Sequence, residues 1–518
     1  MRTIMKKIIQ YSLVFMAVLL LLNACYKDKG NYTYTDLDAF FVDSTKVGSA
    51  FVVQQFDTLK LKSALVYNGD RSRLKFSWSA YLISYPPFNG NYADTLSNAE
   101  NLSVPIPILP NKYWLEFSAT DTVTGRRAAI RYTLNVESTG SGLLVMYTKN
   151  NLVDCDLVKT KLLEGLLPQE KVLRNLYTQA NPKRPLTDEP VTIAMFKYGS
   201  LQYVNLLTSK EAVGVSPADF AVVKEYNKLF LITPNTKKPQ GYFTPPFYYA
   251  FDNEQSAGWE CMVNDGSLYV NMAAFGLGKE TFYNVYTSTT GNYYANPNII
   301  QGAGRFVVFD QLNRKFLAGS TIGTTLSDYS SSPLGSPPFN FNNIGKDLVY
   351  LNYGYGAQYM VYGIFKNPAD NGQRFMYIMD FGGSVARALI DISSFPGIAQ
   401  SKLFAFGQRG QLFFYAVNNK LYRIPFDFST NTAQTPVEAW PNIPADEEIT
   451  CIKMSPHPGR NLPENALDKY LMVATYNQTT GMGKVYMLQL NVTSGAVQTQ
   501  AAAVYDGFGK IKDIAFKF

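Results

Sequence analysis

Apolar and polar residues alternate with a period of two along much of this chain, and that alternation predicts strands. Between about Leu37 and Val136 it is regular: Leu59-Lys60-Leu61-Lys62, Leu74-Lys75-Phe76-Ser77-Trp78, Tyr113 to Thr120 and Ala129 to Val136 each place every second side chain on one face. The last two runs flank Asp121 to Arg127, where Gly125 supplies a turn. About a hundred residues of such strands fit one β-sandwich, with Trp78 as the buried aromatic of an Ig-like core rather than an exposed ligand platform.

Ser138-Thr139-Gly140-Ser141-Gly142 has linker composition and separates two textures. Beyond it, short apolar runs are cut repeatedly by tight turns, centred at Asn150-Asn151, Tyr198-Gly199, Asp265-Gly266, Leu312-Asn313, Gly354 to Gly356, Arg409-Gly410 and Thr480-Gly481. Seven hairpins spaced by about 50 residues predict a β-propeller of seven blades, with six or eight as the neighbouring counts and a large sandwich or two β-domains as the rival architecture. Leu143 to Tyr147 and Ile511 to Phe518 are expected to pair and close the ring. Asp156 to Tyr177, with Leu162-Leu163, Leu166-Leu167 and Val172-Leu173, departs from the strand pattern and suggests a short helix. The expected layout is therefore all-β: 37–137 a sandwich, 138–142 a linker and 143–518 a propeller.

The first residues follow another rule. Arg2, Lys6 and Lys7 precede an apolar run from Ile8 to Leu22, broken only by Gln10, Tyr11 and Ser12, and the run ends in Leu21-Leu22-Asn23-Ala24-Cys25. It is shorter than the roughly 20 residues a bilayer-spanning helix needs, so 1–24 reads as a cleavable export signal. Its end resembles the bacterial lipobox, which makes Cys25 the lipidated first residue of the mature chain and 25–36 a flexible tether. Acyl chains on Cys25 would anchor the protein to a membrane, each buried methylene contributing about 0.8 kcal/mol.

Composition supports the β reading and narrows the chemistry. The chain of 518 residues holds 36 Tyr and 34 Phe. Net charge is only +7, three of those charges lie in the signal, and no basic run exceeds Arg126-Arg127, which argues against a nucleic-acid partner. With Cys25 lipidated, Cys155, Cys261 and Cys451 remain, too few and too scattered for a disulfide framework. One histidine, His457 in Ser455-Pro456-His457-Pro458-Gly459, leaves no second imidazole for a His-based metal site, so no metal or cofactor is expected. It reads as a solvated loop residue, since a catalytic histidine needs an orienting partner.

No nucleophile elbow, P-loop or His-Glu-x-x-His pattern occurs, and Gly276 to Lys279 and Gly507 to Lys510 read as hairpin turns rather than phosphate loops. Asp252, Glu254, Asp265 and Asp380 stand near turns, where two carboxylates meeting across a pocket would suit glycoside cleavage. The most unusual feature is aromatic crowding beside Gly, Pro and Asn: Tyr242 to Tyr249, Tyr283 to Tyr294 and Tyr353 to Tyr359. From these runs Tyr242, Phe247, Tyr248, Tyr293, Tyr294, Tyr353 and Tyr355 are the candidate ligand-binding residues, because exposed rings with amide neighbours suit sugar rings or extended peptides. The alternative is that the rings pack between blades.

Cys25-Tyr26-Lys27-Asp28-Lys29-Gly30-Asn31-Tyr32-Thr33-Tyr34, the strands from Tyr113 to Thr124 and the terminal Gly509-Lys510-Ile511-Lys512-Asp513-Ile514-Ala515-Phe516 together resemble the PKD-like family lipoproteins of Bacteroidota. The PKD Gly-Asp-Gly signature is absent after Trp78, which makes the sandwich PKD-like rather than PKD. The resemblance implies an outer-membrane lipoprotein, on the cell surface rather than the periplasmic face, accessory to a SusC/SusD-like nutrient importer and capturing glycan or peptide. A non-enzymatic binding protein is the expected role. A propeller-fold carboxylate-dependent glycoside hydrolase or lyase and a structural adhesion lipoprotein are the alternatives.

Overall fold

The structure, a computed structural model, describes residues 2–23, 39–84, 93–163, 170–245, 258–275, 280–320, 323–330, 336–455 and 467–517. Cys25 and its tether, Phe247, Tyr248, Asp252, Glu254, Gly276 to Lys279 and His457 lie outside them. Arg2–Asn23 is a helix, and no helix among the described residues is long and apolar enough to cross a membrane.

The alternating region forms one five-stranded sheet and two small ones. Leu74–Leu82, Asn111–Asp121 and Arg127–Glu137 are the long central strands of the first, flanked by Asp94–Ser97 on one edge and, in parallel pairing, by Ala50–Gln54 on the other. Phe40–Val42 pairs with Leu65–Tyr67, and Thr58–Leu61 with Leu102–Pro105. All contribute to one apolar core in which Trp78, Phe117 and Leu115 are fully buried. Burial alternates along Asn111–Asp121 as the sequence alternates, so the period of two sends each second side chain inward. Trp78 stacks on Tyr132 with ring centroids 6.2 Å apart, and its Nε1 donates to Glu100 O at 3.2 Å. Tyr113, near the start of its strand, donates its hydroxyl to Leu109 O four residues upstream at 2.7 Å, pinning the corner before the strand. Gly125 takes φ +70° in the turn between the last two strands.

Seven sheets follow, antiparallel throughout except where the short strand Thr287–Ser288 pairs in parallel with Thr325–Asp328. Sheet I consists of Lys510–Lys517, Gly142–Lys149, Leu152–Lys159 and Lys171–Leu173; sheets II to VI begin with Pro190–Tyr198, Pro239–Phe243, Ala295–Gly302, Asp347–Tyr353 and Leu403–Phe406; sheet VII begins with Glu447–Met454. Each named first strand touches the first strand of the next sheet, and that of VII touches that of I, so the seven inner strands close a ring. The seven turn centres read from the sequence fall one in each sheet.

An apolar layer separates every neighbouring pair of sheets, from I against II round to VII against I. Aromatic rings fill much of it, as in Phe309 against Phe365 at 5.4 Å between IV and V and Tyr362 against Phe426 at 5.3 Å between V and VI. The ring closes through Gly142–Lys149 pairing antiparallel with Lys510–Lys517, Val145 opposite Ile514, the pairing read from the sequence. Gly507 to Lys510 is not a hairpin turn: it crosses from the outer strand of sheet VII to the inner strand of sheet I. A Cβ on Gly509 would lie 2.1 Å from Thr148 O, so only glycine fits that crossing. Within Asp156 to Tyr177, where a short helix is expected, Leu166 and Leu167 lie outside the described residues; the described part holds the edge strand Lys171–Leu173 and the start of a short helix, Leu176–Ala180.

The segment between the two parts is pinned. Thr139 is buried and donates its hydroxyl to Pro217 O at 3.3 Å, Lys159 Nζ donates to Thr139 O at 3.2 Å, and Lys517 Nζ donates to Gly140 O. Phe56, from the N-terminal part, is 3% exposed and meets Phe220 of sheet II edge-on at 6.3 Å, while Asp57 pairs with Lys171 of sheet I.

Candidate functional site

Six of the seven inner strands carry a register shift near their starts, at Val191, Gln240, Asn296 to Asn298, Val349, Thr450 and Lys512. A bulge rotates the chain locally and re-aims a side chain, so these shifts rearrange the same end of the ring. At that end, between sheets I, II, VI and VII, lies a cavity of about 830 Å³. Its walls are inner-strand starts, including Glu189, Lys402, Glu448 and Lys510 to Lys512, and the turns between second and third strands, including Asn150, Asn151, Asn418 and Thr480 to Met482. Asn150, Asn151 and Asn418 sit at φ +52°, +61° and +53°, a left-handed geometry that asparagine tolerates.

Four ammonium groups and two carboxylates border the cavity. Lys149 Nζ donates to Gly507 O at 3.1 Å, and Lys510 Nζ lies 3.5 Å from Glu448 Oε2 with both side chains more than half exposed. Lys402 and Lys512 are exposed and form no ion pair or hydrogen bond among the described residues. The side-chain amides of Gln400, Asn150, Asn151 and Asn418 are likewise exposed and uncommitted. Leu403, Val417, Ile449, Ile511, Tyr476 and Met482 give the same cavity apolar surface.

A polar tier follows along the same inner strands. Asp513 accepts from Thr192 Oγ1 at 2.6 Å and Ile193 N at 3.1 Å, and pairs with Lys453 Nζ at 2.5 Å; that ammonium also donates to Ile514 O at 2.7 Å. Burial acts to lower the Lys453 pKa, but the Asp513 carboxylate outweighs it and the net direction is upward. Tyr350, whose hydroxyl accepts from Asn352 Nδ2 at 3.1 Å, is pushed up by burial. Lys453 and Asp513 thus satisfy one another as a fixed ion pair.

None of the aromatic candidates among the described residues lines this cavity. Tyr242 is 9% exposed and donates its hydroxyl to Glu260, a buried carboxylate that also accepts from Tyr203 and from Asn271 Nδ2. Tyr293 donates to Tyr286 O at 2.7 Å, and burial pushes its hydroxyl up to about 12. Tyr294 accepts from Gln240 Nε2 at 2.9 Å, and Tyr353 accepts from Gln301 N at 2.8 Å. These four rings hold loops and sheets together; among the described candidates Tyr355 alone is exposed, at 38%. Asp265 pairs with Lys238 at 3.0 Å, and Asp380 accepts from Gly382 N, Gly383 N and Arg387, so both carboxylates fasten turns. The four lysines and two glutamates of the cavity were not singled out from the sequence. The turn centres Asn150-Asn151 and Thr480-Gly481, which were, lie on its rim. Cys155, Cys261 and Cys451 are free and buried, and no group of His, Cys, Asp and Glu among the described residues is placed to hold a metal ion.

A profile of the PKD-like family matches residues 25–190, which spans the N-terminal sheets and the first strands of the ring. No curated protein matches the chain. Solved structures of similar shape include a quinonprotein alcohol dehydrogenase-like protein from Bacteroides thetaiotaomicron, at 10% identity and TM-score 0.48 over 93% of this chain and all of that one. The β-propeller domain of Cps50 (Swd1) from Myceliophteria thermophila is similar at 8% identity and TM-score 0.40, over 64% of this chain and 91% of that one. AztD from Citrobacter koseri is similar at 9% identity and TM-score 0.35, over 86% and 98% respectively.

Proposed function

We propose that this chain is a lipid-anchored, non-enzymatic binding protein that receives its ligand in the axial cavity. In this reading 1–24 is a signal, Cys25 carries the lipid and 25–36 is the tether. Residues 37–137 form a PKD- or Ig-like sandwich, 138–142 the connection, and 143–518 one seven-bladed propeller. The anchor places it at the outer membrane, on the outward face, as an accessory to a SusC/SusD-like importer that delivers glycan or peptide. The lipobox-like end of the signal and the family match over 25–190 support the anchored, PKD-like part of the proposal.

The observation that carries the binding role is the cavity itself. About 830 Å³ is within the range of small-ligand sites, and its rim offers polar groups that make no hydrogen bonds among the described residues beside apolar surface. A purely structural adhesion protein has no need of such a site. Pull-down of the full-length lipoprotein from solubilised outer membranes, with mass spectrometry of what accompanies it, tests the assignment. A SusC/SusD-like pair is the expected companion, and recovery of the lipoprotein alone contradicts the accessory role.

One observation favours the second reading, a carboxylate-dependent hydrolase or lyase: Glu189 and Glu448 both border the cavity. Both are exposed, and Glu448 is engaged by Lys510. Hydrolysis or elimination of a bound glycan by the wild type, lost in Glu448→Gln, would establish that reading; unchanged ligand after long incubation supports binding alone.

A further inference from the structure

The charge around the cavity is not balanced. Lys149, Lys402, Lys510 and Lys512 face two carboxylates, Glu189 and Glu448, and of the six only Lys510 and Glu448 pair with each other. Lys402 approaches from sheet VI and Lys512 from sheet I, where the register shift between Met146 and Tyr147 makes it the extra residue of the inner strand. Two unpaired ammonium groups on different walls of a concave site focus positive potential into it. The exposed amides of Gln400, Asn150 and Asn418 add donors and acceptors suited to hydroxyl groups, and Tyr476 with Met482 adds apolar surface suited to a ring face.

We infer that the axial cavity takes a short oligosaccharide bearing negative charge, a carboxylate or a sulfate group, held by Lys402 and Lys512. This rests on the binding reading above and names its ligand class. The lysines supply charge-assisted hydrogen bonds to the anionic group. The amides read the hydroxyls, and Tyr476 covers one face of a sugar ring. An acidic peptide shares the charge and can pair its backbone with the amides, but it presents no saccharide ring face to Tyr476.

Calorimetric titration of the full-length protein in detergent tests this. The probes are an oligogalacturonate, a sulfated oligosaccharide, a neutral oligosaccharide of the same length and an acidic peptide of the same net charge. Three proteins are compared: wild type, the double variant Lys402→Gln/Lys512→Gln, and Gln400→Trp, which fills the cavity from an exposed position. The expected result is binding of one or both charged oligosaccharides, at least about tenfold tighter than the neutral one, weakened by salt, lowered at least about tenfold in the double variant and abolished by Gln400→Trp. Which charged sugar binds tighter distinguishes carboxylate from sulfate. Neutral sugar bound as tightly as charged, or acidic peptide bound in preference, overturns the inference; if Gln400→Trp still abolishes that binding, the cavity reading stands without it. Charged sugar bound equally by all three proteins, or no probe of any kind bound by the wild type, overturns both.

Discussion

Single residues here are settled by burial. Asp468, 1% exposed, accepts from Gln408 N at 2.5 Å and Arg409 N at 2.7 Å through one oxygen, while its other oxygen has no hydrogen-bond partner among the described residues. Burial pushes its carboxyl up to about 6, with the two backbone N–H groups opposing. Because its pKa is higher in the folded chain, its proton stabilises the fold below the ordinary value of 3.8, and that contribution is lost as pH rises towards 6. Asp468→Asn removes the titration and suits the left-handed φ of +58°. In urea titrations from pH 4 to pH 7 the variant should therefore gain stability relative to wild type as pH rises, by up to about 3 kcal/mol. A difference that is flat across that range contradicts the assignment. Asp121 shows the reverse: N–H groups of Val123 and Thr124 and the Tyr67 hydroxyl favour its charged form over a weaker burial effect, holding it down to about 2.

Among elements, the strand that closes the ring has the largest consequence. Lys510–Lys517 is paired on one side with Gly142–Lys149, and Ile514 on it is 1% exposed in the layer between sheets VII and I. Ile514→Ala should cost about 2–5 kcal/mol by removing buried methyl groups, measured as a shift in denaturant midpoint. Val437→Ala, on the two-residue strand Val437–Glu438 where Val437 is 51% exposed, should stay within about 0.5 kcal/mol. Equal costs at both sites would contradict the closing role.

This element was legible because an apolar run at each end of the stretch that forms the ring needs a partner, and the turns were legible because Gly and Asn mark them. The aromatic residues misdirected the eye. Tyr beside Gly and Asn reads as exposed, yet a ring of sheets needs large side chains to fill the layers between them, and Tyr242, Tyr293 and Tyr353 turn their hydroxyls to buried or backbone partners. The cavity was hidden for the opposite reason. Lys402, Glu448 and Lys512 stand at the starts of different inner strands, up to 110 positions apart, each an ordinary exposed charge until the ring brings them together.

At the scale of the molecule, the N-terminal part and the ring are joined by contacts as well as by chain. Phe56 holds φ +66°, uncommon for a large side chain, while buried against Phe220, and the connecting Thr139 and Gly140 carbonyls accept from Lys159 and Lys517. A composition that reads as a flexible linker is thus fixed by its neighbours. Phe56→Ala should loosen that junction: limited proteolysis within 138–142 should quicken by roughly tenfold, with melting of the ring unchanged. Equal cleavage rates in both proteins would mean that Phe56 does not hold the parts together. A pinned junction holds the ring and its cavity in one place relative to the N-terminal sheets.

The most direct test of ligand entry at the axial cavity is lysine-reactivity footprinting of the full-length protein, with and without a digest of anionic polysaccharide. Acylation of Lys402 and Lys512 is expected to fall when ligand is present, while the exposed Lys60 and Lys62 of the N-terminal part react unchanged. Protection confined to lysines away from the cavity, or unaltered reactivity at Lys402 and Lys512 under a ligand shown to bind, would contradict it.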